Sequence, residues 1–577
     1  MPTRRDVLQS LTAAGGLAAF GGSLSFAADE AKSWKHGVVA TVQPLATAAG
    51  IAAFERGGNA VDAAIAAAVT LGVVDQHNSG LGGGCFVLIR QANGQFLAID
   101  GRETAPAAAS RDMYLRDGRA QPELSQTGAL AVATPGALAA YELALRNAGK
   151  LKLADVIAPA ADLAERGFAL DRNYARKLKS TADKLKQFPG SAAALLKSDG
   201  SPYAAGEVLK QPDLAHTYRQ IAGEGSKWFY RGEFATRIAE WMKANGGLLT
   251  AADFAAYKPL LRQPLKTTYR DFQIVGFPPP SSGGVHVAQM LNMLGQFDVA
   301  KLQKEGQGGY EHLLAEVMQL AFADRAHWLG DPDFAKVPRG LIDKDYARAL
   351  ADKIDLKRAG KVETHGRPPR AAENIFSREN YDPAESKHTT HIAAADAQGN
   401  WVAITATVNT TFGSKVIVPG TGLVLNNEMD DFSISPGQPN AFGLIGAEAN
   451  AVEPGKRPLS SMSPTIVVHD NKPLLAVGAA GGPTIITQVL QVLVRVLDLK
   501  ESLAEAVAAP RIHHQWRPDQ LRVEEAMPAA TRAALKNRGH QLEEMPSIGV
   551  CQAVGVDAGG RLSGVHDPRV PGSAAGF

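Results

Sequence analysis

The sequence predicts an α/β protein organised around one antiparallel hairpin, on three observations. Residues 389–409 read Thr-Thr-His-Ile-Ala-Ala-Ala-Asp-Ala-Gln-Gly-Asn-Trp-Val-Ala-Ile-Thr-Ala-Thr-Val-Asn, two runs of small, β-branched and apolar residues on either side of turn chemistry. Further short apolar runs at 38–42, 85–89, 96–99, 465–469 and 474–477 read as strands. Helical periodicity separates them, most clearly at 44–56, 60–74, 153–166, 309–328 and 485–497. The chain of 577 residues, 45% hydrophobic and 20% charged, is long and apolar enough to bury a large core.

The hairpin's register follows from its loop. With Ala397-Gln398-Gly399 as a three-residue loop and Gly399 left-handed, Asp396 pairs with Asn400 and Thr389 lies opposite Thr407. A four-residue loop would shift the pairing by one. Val402, Ile404, Ala406 and Val408 then share an apolar face; Ala403, Thr405, Thr407 and Asn409 share a more polar one. Hydroxyl and amide groups thus gather beside the Thr389 hydroxyl. An ordinary threonine-rich strand has the same pattern, since threonine is common in sheets.

The chain begins differently from the rest. Thr3-Arg4-Arg5-Asp6-Val7-Leu8 precedes a mildly apolar Gly/Ala-rich run to Phe26, with small residues around Ala27. This is the pattern of a twin-arginine export signal over residues 1–27, and it predicts a periplasmic or secreted protein. The run is too short and glycine-rich for a membrane span. A retained N-terminal helix is the alternative.

After the signal, the strand at 38–42 leads into a helix from Pro44 to Arg56, stopped by Gly57-Gly58, and Asn59 caps the next helix, 60–74. Gly82-Gly83-Gly84 lacks dinucleotide-fingerprint spacing and precedes a strand, so these glycines serve close backbone packing rather than phosphate binding. The strand at 96–99 ends just before Arg102, where an arginine also fits a solvated turn. Helices follow at 135–148, 153–166, 233–245 and 309–328, and a rigid Pro278-Pro279-Pro280 loop precedes another. From Asp355 to Lys387 the chain is polar, charged and aperiodic, a connector predicted to be loosely packed. Downstream, a strand at 422–425 runs into the acids Glu428, Asp430 and Asp431, residues 436–447 form a Gly/Pro-rich loop, and Gly481-Gly482-Pro483 precedes the last long helix.

Composition excludes several classes. Sixty basic against 58 acidic residues, with no basic stripe interleaved with aromatics, argue against nucleic-acid binding. Cys85 and Cys551 are too few for a disulfide framework and lack metal-ligand spacing, so both are read as packing residues. No internal repeat is present.

Thr389-Thr390-His391, Asn409-Thr410-Thr411-Phe412-Gly413, Asn426-Asn427-Glu428-Met429-Asp430-Asp431-Phe432, Arg457 to Thr465 and Gly481-Gly482 together resemble the γ-glutamyltransferases, also called γ-glutamyltranspeptidases or glutathione hydrolases. The resemblance extends through Gly57 to Asp62, Ala323-Asp324-Arg325, Leu329 to Pro332 and His513 to Trp516, nearly the whole mature chain. It implies an N-terminal nucleophile (Ntn) hydrolase, a four-layer α/β/β/α sandwich of two packed antiparallel sheets flanked by helices. It also implies a precursor that cuts itself between His388 and Thr389, leaving a large subunit, 28–388, and a small catalytic subunit, 389–577, as a heterodimer.

The resemblance further implies the roles. Thr389 is the nucleophile and its freed α-amine the base, with Thr407 orienting it. Arg102, Ser460 and Ser461 hold the donor's α-carboxylate, Asn409, Glu428 and Asp431 its α-ammonium, and the N–H groups of Gly481 and Gly482 its oxyanion. The donor is glutathione or another γ-glutamyl compound, the acceptor water, an amino acid or a peptide, with no cofactor or metal and no stable membrane anchor. Phe442, in the lid loop, stands where several bacterial relatives carry tyrosine. The alternatives are an Ntn acylase for glutaryl or cephalosporin-type amides, and an inactive secreted binding protein of the same descent.

Overall fold

The computed structural model describes residues 32–371, 389–435, 437–438, 440 and 443–577. The export signal, His388 and Phe442 therefore lie outside the described residues. Two seven-stranded sheets carry β1 (Lys32–Trp34), β2 (Gly37–Thr41), β3 (Gly84–Arg90), β4 (Phe96–Gly101), β5 (Leu260–Arg262), β6 (Leu265–Tyr269), β7 (Phe272–Gly276), β8 (Thr389–Asp396), β9 (Trp401–Thr407), β10 (Thr465–His469), β11 (Lys472–Ala480), β12 (Val550–Val556), β13 (Leu562–His566) and β14 (Ser573–Gly576). The first sheet has the order β14-β2-β8-β9-β3-β4-β5 and the second β1-β13-β12-β11-β10-β7-β6, with every neighbouring pair antiparallel.

The hairpin β8–β9 sits in the middle of the first sheet in the predicted register. Thr389 pairs with Thr407 and Ala395 with Trp401, the Asp396 N–H donates to the Asn400 carbonyl at 3.0 Å, and Gly399 has φ +94°. Its two faces part as alternation requires. Ile392, Ala394, Val402, Ile404 and Ala406 join one core cluster with helices α1 (Pro44–Glu55), α2 (Ala60–Val74), α3 (Ala137–Ala148) and α4 (Leu153–Arg166). Ala393, Ala395, Trp401 and Ala403 join a second cluster that runs through the other sheet to α5 (Ser282–Leu294), α6 (Gly309–Trp328) and α7 (Thr484–Leu497). Helix, sheet, sheet and helix therefore stack in four layers. Because the hairpin is buried on both faces, its strands are nearly free of charge.

Local chemistry fixes the first helical layer. The Asn59 side chain accepts from the N–H groups of Val61 and Asp62, and Asp62 returns a bond from the Asn59 N–H at 2.7 Å, a complete capping box. Asp396, at the hairpin turn, also accepts from the Ala60 N–H at 3.0 Å and so ties the turn to the start of α2. Gly83 could not carry a side chain, since a Cβ there would lie 1.9 Å from the Thr407 carbonyl oxygen. The glycine run does serve close packing.

Two expectations are revised. Residues 422–425 form no sheet strand; Val424 makes only an isolated bridge to Ile417, and Glu428–Asp431 is a 3-10 turn. The Asn426 side chain is the reason, donating to the carbonyls of Gly82 and Ala133 and accepting from the N–H groups of Ala133 and Glu428, so it stitches this segment to loops instead of a ladder. The connector, as far as residue 371, has no helix or strand but is held down. Trp516 and Trp328 donate their indole N–H to the carbonyls of Val362 and Gly366. Cys85 and Cys551 are buried and free, one in each sheet. No helix among the described residues is long and apolar enough to cross a membrane.

Candidate active site

Antiparallel pairing brings four chain positions to one end of the first sheet. β8 starts at Thr389, β9 ends at Thr407, β3 starts at Gly84 and β4 ends at Gly101, with Thr389 opposite Thr407, Thr407 opposite Gly84, and Cys85 opposite Gly101. Arg102 follows directly, about three strand spacings, ~14 Å, from Thr389. Thr389 is buried and its Oγ1 has no hydrogen-bond partner among the described residues. The Thr407 Oγ1 accepts from the Asn409 N–H at 2.8 Å, and Asn409 takes a left-handed conformation (φ +75°) with its Nδ2 donating to the Asn427 carbonyl. The Asn409 Oδ1 is buried without a partner among the described residues.

Arg102 is fully buried among acids. Its Nη1 lies 2.8 Å from a Glu428 oxygen and 3.3 Å from a Glu103 oxygen; its Nη2 lies 3.0 Å from Asp431. The two sets expected to grip opposite ends of one ligand are therefore paired with each other. Three carboxylates face one guanidinium, and the carboxyls respond. Burial pushes Glu103 up to about 7 and Glu428 well above the ordinary range, with Arg102 pulling both down and their acidic neighbours opposing it. A ligand ammonium inserted here would relieve that excess of acid.

A second network sets Arg102 in place. Asp100 accepts from the Arg102 N–H at 2.9 Å, lies 2.8 Å from the Arg457 Nη1 and accepts from the Arg262 Nε at 2.7 Å, while Tyr257 donates its hydroxyl to the Arg102 carbonyl. Removing one partner of a buried pair leaves the other charge uncompensated. Asp100→Ala is therefore expected to lower unfolding stability by roughly 3–5 kcal/mol, read as a shift of the urea midpoint.

Ser460 and Ser461 are buried, two and three residues beyond Pro458, whose carbonyl accepts from the Arg102 Nε at 3.4 Å. The Ser460 hydroxyl accepts from the Met462 N–H, and the Ser461 hydroxyl accepts from the Arg325 Nη2 at 3.3 Å. Arg325, on the last turn of α6, is a site residue that the sequence reading left unassigned. Its Nε donates to Ser282, and burial lowers its pKa to about 9. The signal was present in the family block Ala323-Asp324-Arg325. Arg325, Asp431, Asn440, Leu444, Gly446 and Leu459 enclose a cavity of about 20 Å³, room for roughly one water.

On the facing sheet, β11 runs into Gly481 and Gly482, which have φ of +128° and +67°. A Cβ on Gly478 would lie 2.3 Å from His391, so the His391 ring rests on β11. His391 and Thr389 share a strand face, which turns the Thr389 face towards the strand that delivers the glycine pair. Among the described residues neither glycine N–H has an acceptor. Both precede α7, whose N-terminal dipole adds to their donor character.

His391 is one of several buried neutral imidazoles. Burial holds His77, His286 and His391 down to about 3. In the unfolded chain each binds a proton near 6.5, so the unfolded state gains protons first as pH falls and stability is lost from about 6.5 down towards 3. Each contributes a loss on the order of 2 kcal/mol by about pH 5. The melting temperature is expected to fall steeply on that acid limb, and less steeply in His286→Asn.

The family profile described as Gamma-glutamyltranspeptidase matches residues 46–577. A glutathione hydrolase proenzyme of Escherichia coli K12 is 44% identical over 539 residues, covering 93% of this chain and 90% of its own. Among solved structures, a cephalosporin acylase from Bacillus halodurans superposes with a TM-score of 0.85 at 28% identity, covering 97% of this chain and 99% of its own. A γ-glutamyltranspeptidase from Helicobacter pylori superposes with a TM-score of 0.53 at 37% identity, covering 59% of this chain and 96% of its own.

Proposed function

We propose, from the premise that this chain belongs to the γ-glutamyltranspeptidase family, that it is an autoprocessing γ-glutamyltransferase and glutathione hydrolase with Thr389 as its nucleophile. The observation that carries the assignment is the buried Thr389 Oγ1, unpartnered among the described residues, opposite Thr407 at the sheet end that also bears Arg102. In the precursor the Thr389 nitrogen is an amide and cannot serve as a base. Attack of Oγ1 on the His388 carbonyl carbon forms an ester as the C–N bond breaks, and water then releases Thr389 with a free amine. A model α-amine titrates at about 7.7–8.0, so part of it is neutral near pH 7 and accepts the hydroxyl proton directly or through water.

Arg102, assisted by Ser460 and Ser461, holds the donor's α-carboxylate, and Glu428, Asp431 and Asn409 hold its α-ammonium. Binding therefore exchanges the internal Arg102 pairs for pairs with the ligand. An amide lacking either headgroup charge leaves buried groups unmatched. Oγ1 then attacks the γ-carbonyl carbon, the oxyanion receives the Gly481 and Gly482 N–H groups, and the Thr389 ammonium protonates the leaving nitrogen as the C–N bond breaks. One such donor contributes about 2.7–4 kcal/mol of transition-state stabilisation. Water or an acceptor amine takes the acyl group in the second half of the cycle. The partner proposed for the small subunit is the large one, the two remaining interleaved, and residues 1–27 are proposed to direct export to the periplasm or medium.

Turnover of γ-glutamyl-p-nitroanilide beside glutaryl-p-nitroanilide tests this reading. The first is expected to be much faster, because a glutaryl donor offers Glu428 and Asp431 no ammonium. The reverse order would move the chain to the acylase branch. The Phe442 ring has no hydroxyl to latch the lid, so Phe442→Tyr is expected to raise the ratio of transfer to hydrolysis. An unchanged ratio would show that the latch is irrelevant.

A further inference from the structure

We propose that His312, Glu316 and His540 form a binding site for a divalent cation of the zinc class, and that the cation clamps together the two pieces of chain left by the cut before Thr389. His312 and Glu316 are four residues apart on α6 and so share one of its faces. His540 comes from the other side of the cut, just beyond the helix Ala529–Asn537. The three side chains are buried, and one potential ligand atom from each lies within 4.8 Å of the others. The His312 Nδ1 is 2.8 Å from the His540 Nε2, which is 4.0 Å from a Glu316 oxygen.

The surroundings orient these atoms as a metal would need. The His312 Nε2 faces the Asp355 carbonyl at 2.8 Å; a carbonyl only accepts, so Nε2 carries the hydrogen and the Nδ1 lone pair points into the cluster. The Gly360 N–H lies 3.2 and 3.1 Å from the two Glu316 oxygens and fixes that carboxylate. Glu316 also forms part of the wall of a cavity of about 290 Å³ bounded by Gly360, Val362 and Thr364, an approach to the cluster from the carboxylate side. Tetrahedral zinc with Zn–N bonds of about 2.0–2.1 Å separates two nitrogen ligands by about 3.3 Å. The histidine pair at 2.8 Å opens by roughly half an ångström, and the carboxylate, 4.0 Å from His540 and within 4.8 Å of His312, moves inward to reach that geometry.

Two imidazoles and one carboxylate suit zinc better than calcium or magnesium, which take all-oxygen sets. The competing arrangement is a metal-free pair in which His540 donates its Nε2 hydrogen to His312. The clamp rests on the processing reading; cation binding does not.

The test uses the purified full chain, stripped with EDTA and re-equilibrated with Zn²⁺ alone, with metal content measured by mass spectrometry and site geometry by the visible spectrum of the Co²⁺ form. About one equivalent per chain is expected for the parent and for Thr389→Ala, with loss of that equivalent in His540→Gln and in Glu316→Gln. A parent that binds no stoichiometric zinc, or variants that bind it as the parent does, would overturn the site. Should a ligand variant misfold by circular dichroism, the tetrahedral Co²⁺ bands of the parent decide, and their absence counts against it. For the clamp, EDTA is expected to lower the urea concentration at which the processed subunits separate on a sizing column. Unchanged separation with zinc bound would overturn the clamp alone, whereas a parent that stays one chain would overturn the processing reading and leave the site standing.

Discussion

Thr389→Ala is expected to accumulate as one uncleaved chain with no measurable turnover of a γ-glutamyl anilide, a loss of ~10⁴-fold or more. The side chain lost is small, and the hole it leaves at the sheet end is one methyl and one hydroxyl in size, so the fold persists and circular dichroism should match the parent. That separation of stability from activity follows from the position. Thr389 supplies no described hydrogen bond to the fold through Oγ1, yet in the proposed mechanism that oxygen both releases the base and forms the acyl-enzyme. Thr389→Ser is the companion variant: it keeps the hydroxyl and is expected to process and turn over, more slowly, since it lacks the methyl that restricts χ1. An alanine variant that matured and turned over like the parent would remove Thr389 from the chemistry.

Arg102→Lys is expected to lower kcat/KM for the γ-glutamyl donor by between ~30- and ~5,000-fold, the range for truncating one partner of a buried hydrogen-bonded charge pair, 2–5 kcal/mol. Lysine keeps the charge but replaces a planar fork with a point charge, so it cannot hold a carboxylate through two parallel bonds. The fall should appear chiefly in KM, because the α-carboxylate is remote from the reacting γ-carbonyl and is held alike in ground and transition states. Glu103, Glu428 and Asp431 all lie within about 3.3 Å of the Arg102 guanidinium, so some stability is lost as well, and thermal melts must accompany the kinetics. A KM unchanged in Arg102→Lys would place the carboxylate elsewhere.

Much of this architecture was legible where local rules and tertiary packing agree. The 389–407 register followed from a loop needing glycine at its last position, and φ of +94° at Gly399 is that requirement met. Helix 60–74 starts at its Asn59 cap, and helices 153–166 and 309–328 start and stop where periodicity puts them. The strand expected at 422–425 failed because periodicity ignores side chains that compete for the backbone, as Asn426 does. The state of the candidate site was not legible. Motifs could name Arg102, Glu428 and Asp431, but their mutual pairing depends on β4 ending beside the 3-10 turn at 428–431, a contact of long sequence separation. Arg325 was hidden for a related reason, since a basic residue in the last turn of a helix is ordinarily a solvated partner of the helix dipole. Its burial against Ser282 and Ser461 appears only when α5 and the 457–465 segment are brought together.

The central claim is that the catalytic base is made by cutting the chain. Intact mass spectrometry with N-terminal sequencing of the purified, active protein tests it most directly. Two polypeptides are predicted, the shorter reading Thr-Thr-His-Ile from its first residue. Full activity in an unbroken chain, or a new terminus anywhere but Thr389, would contradict it.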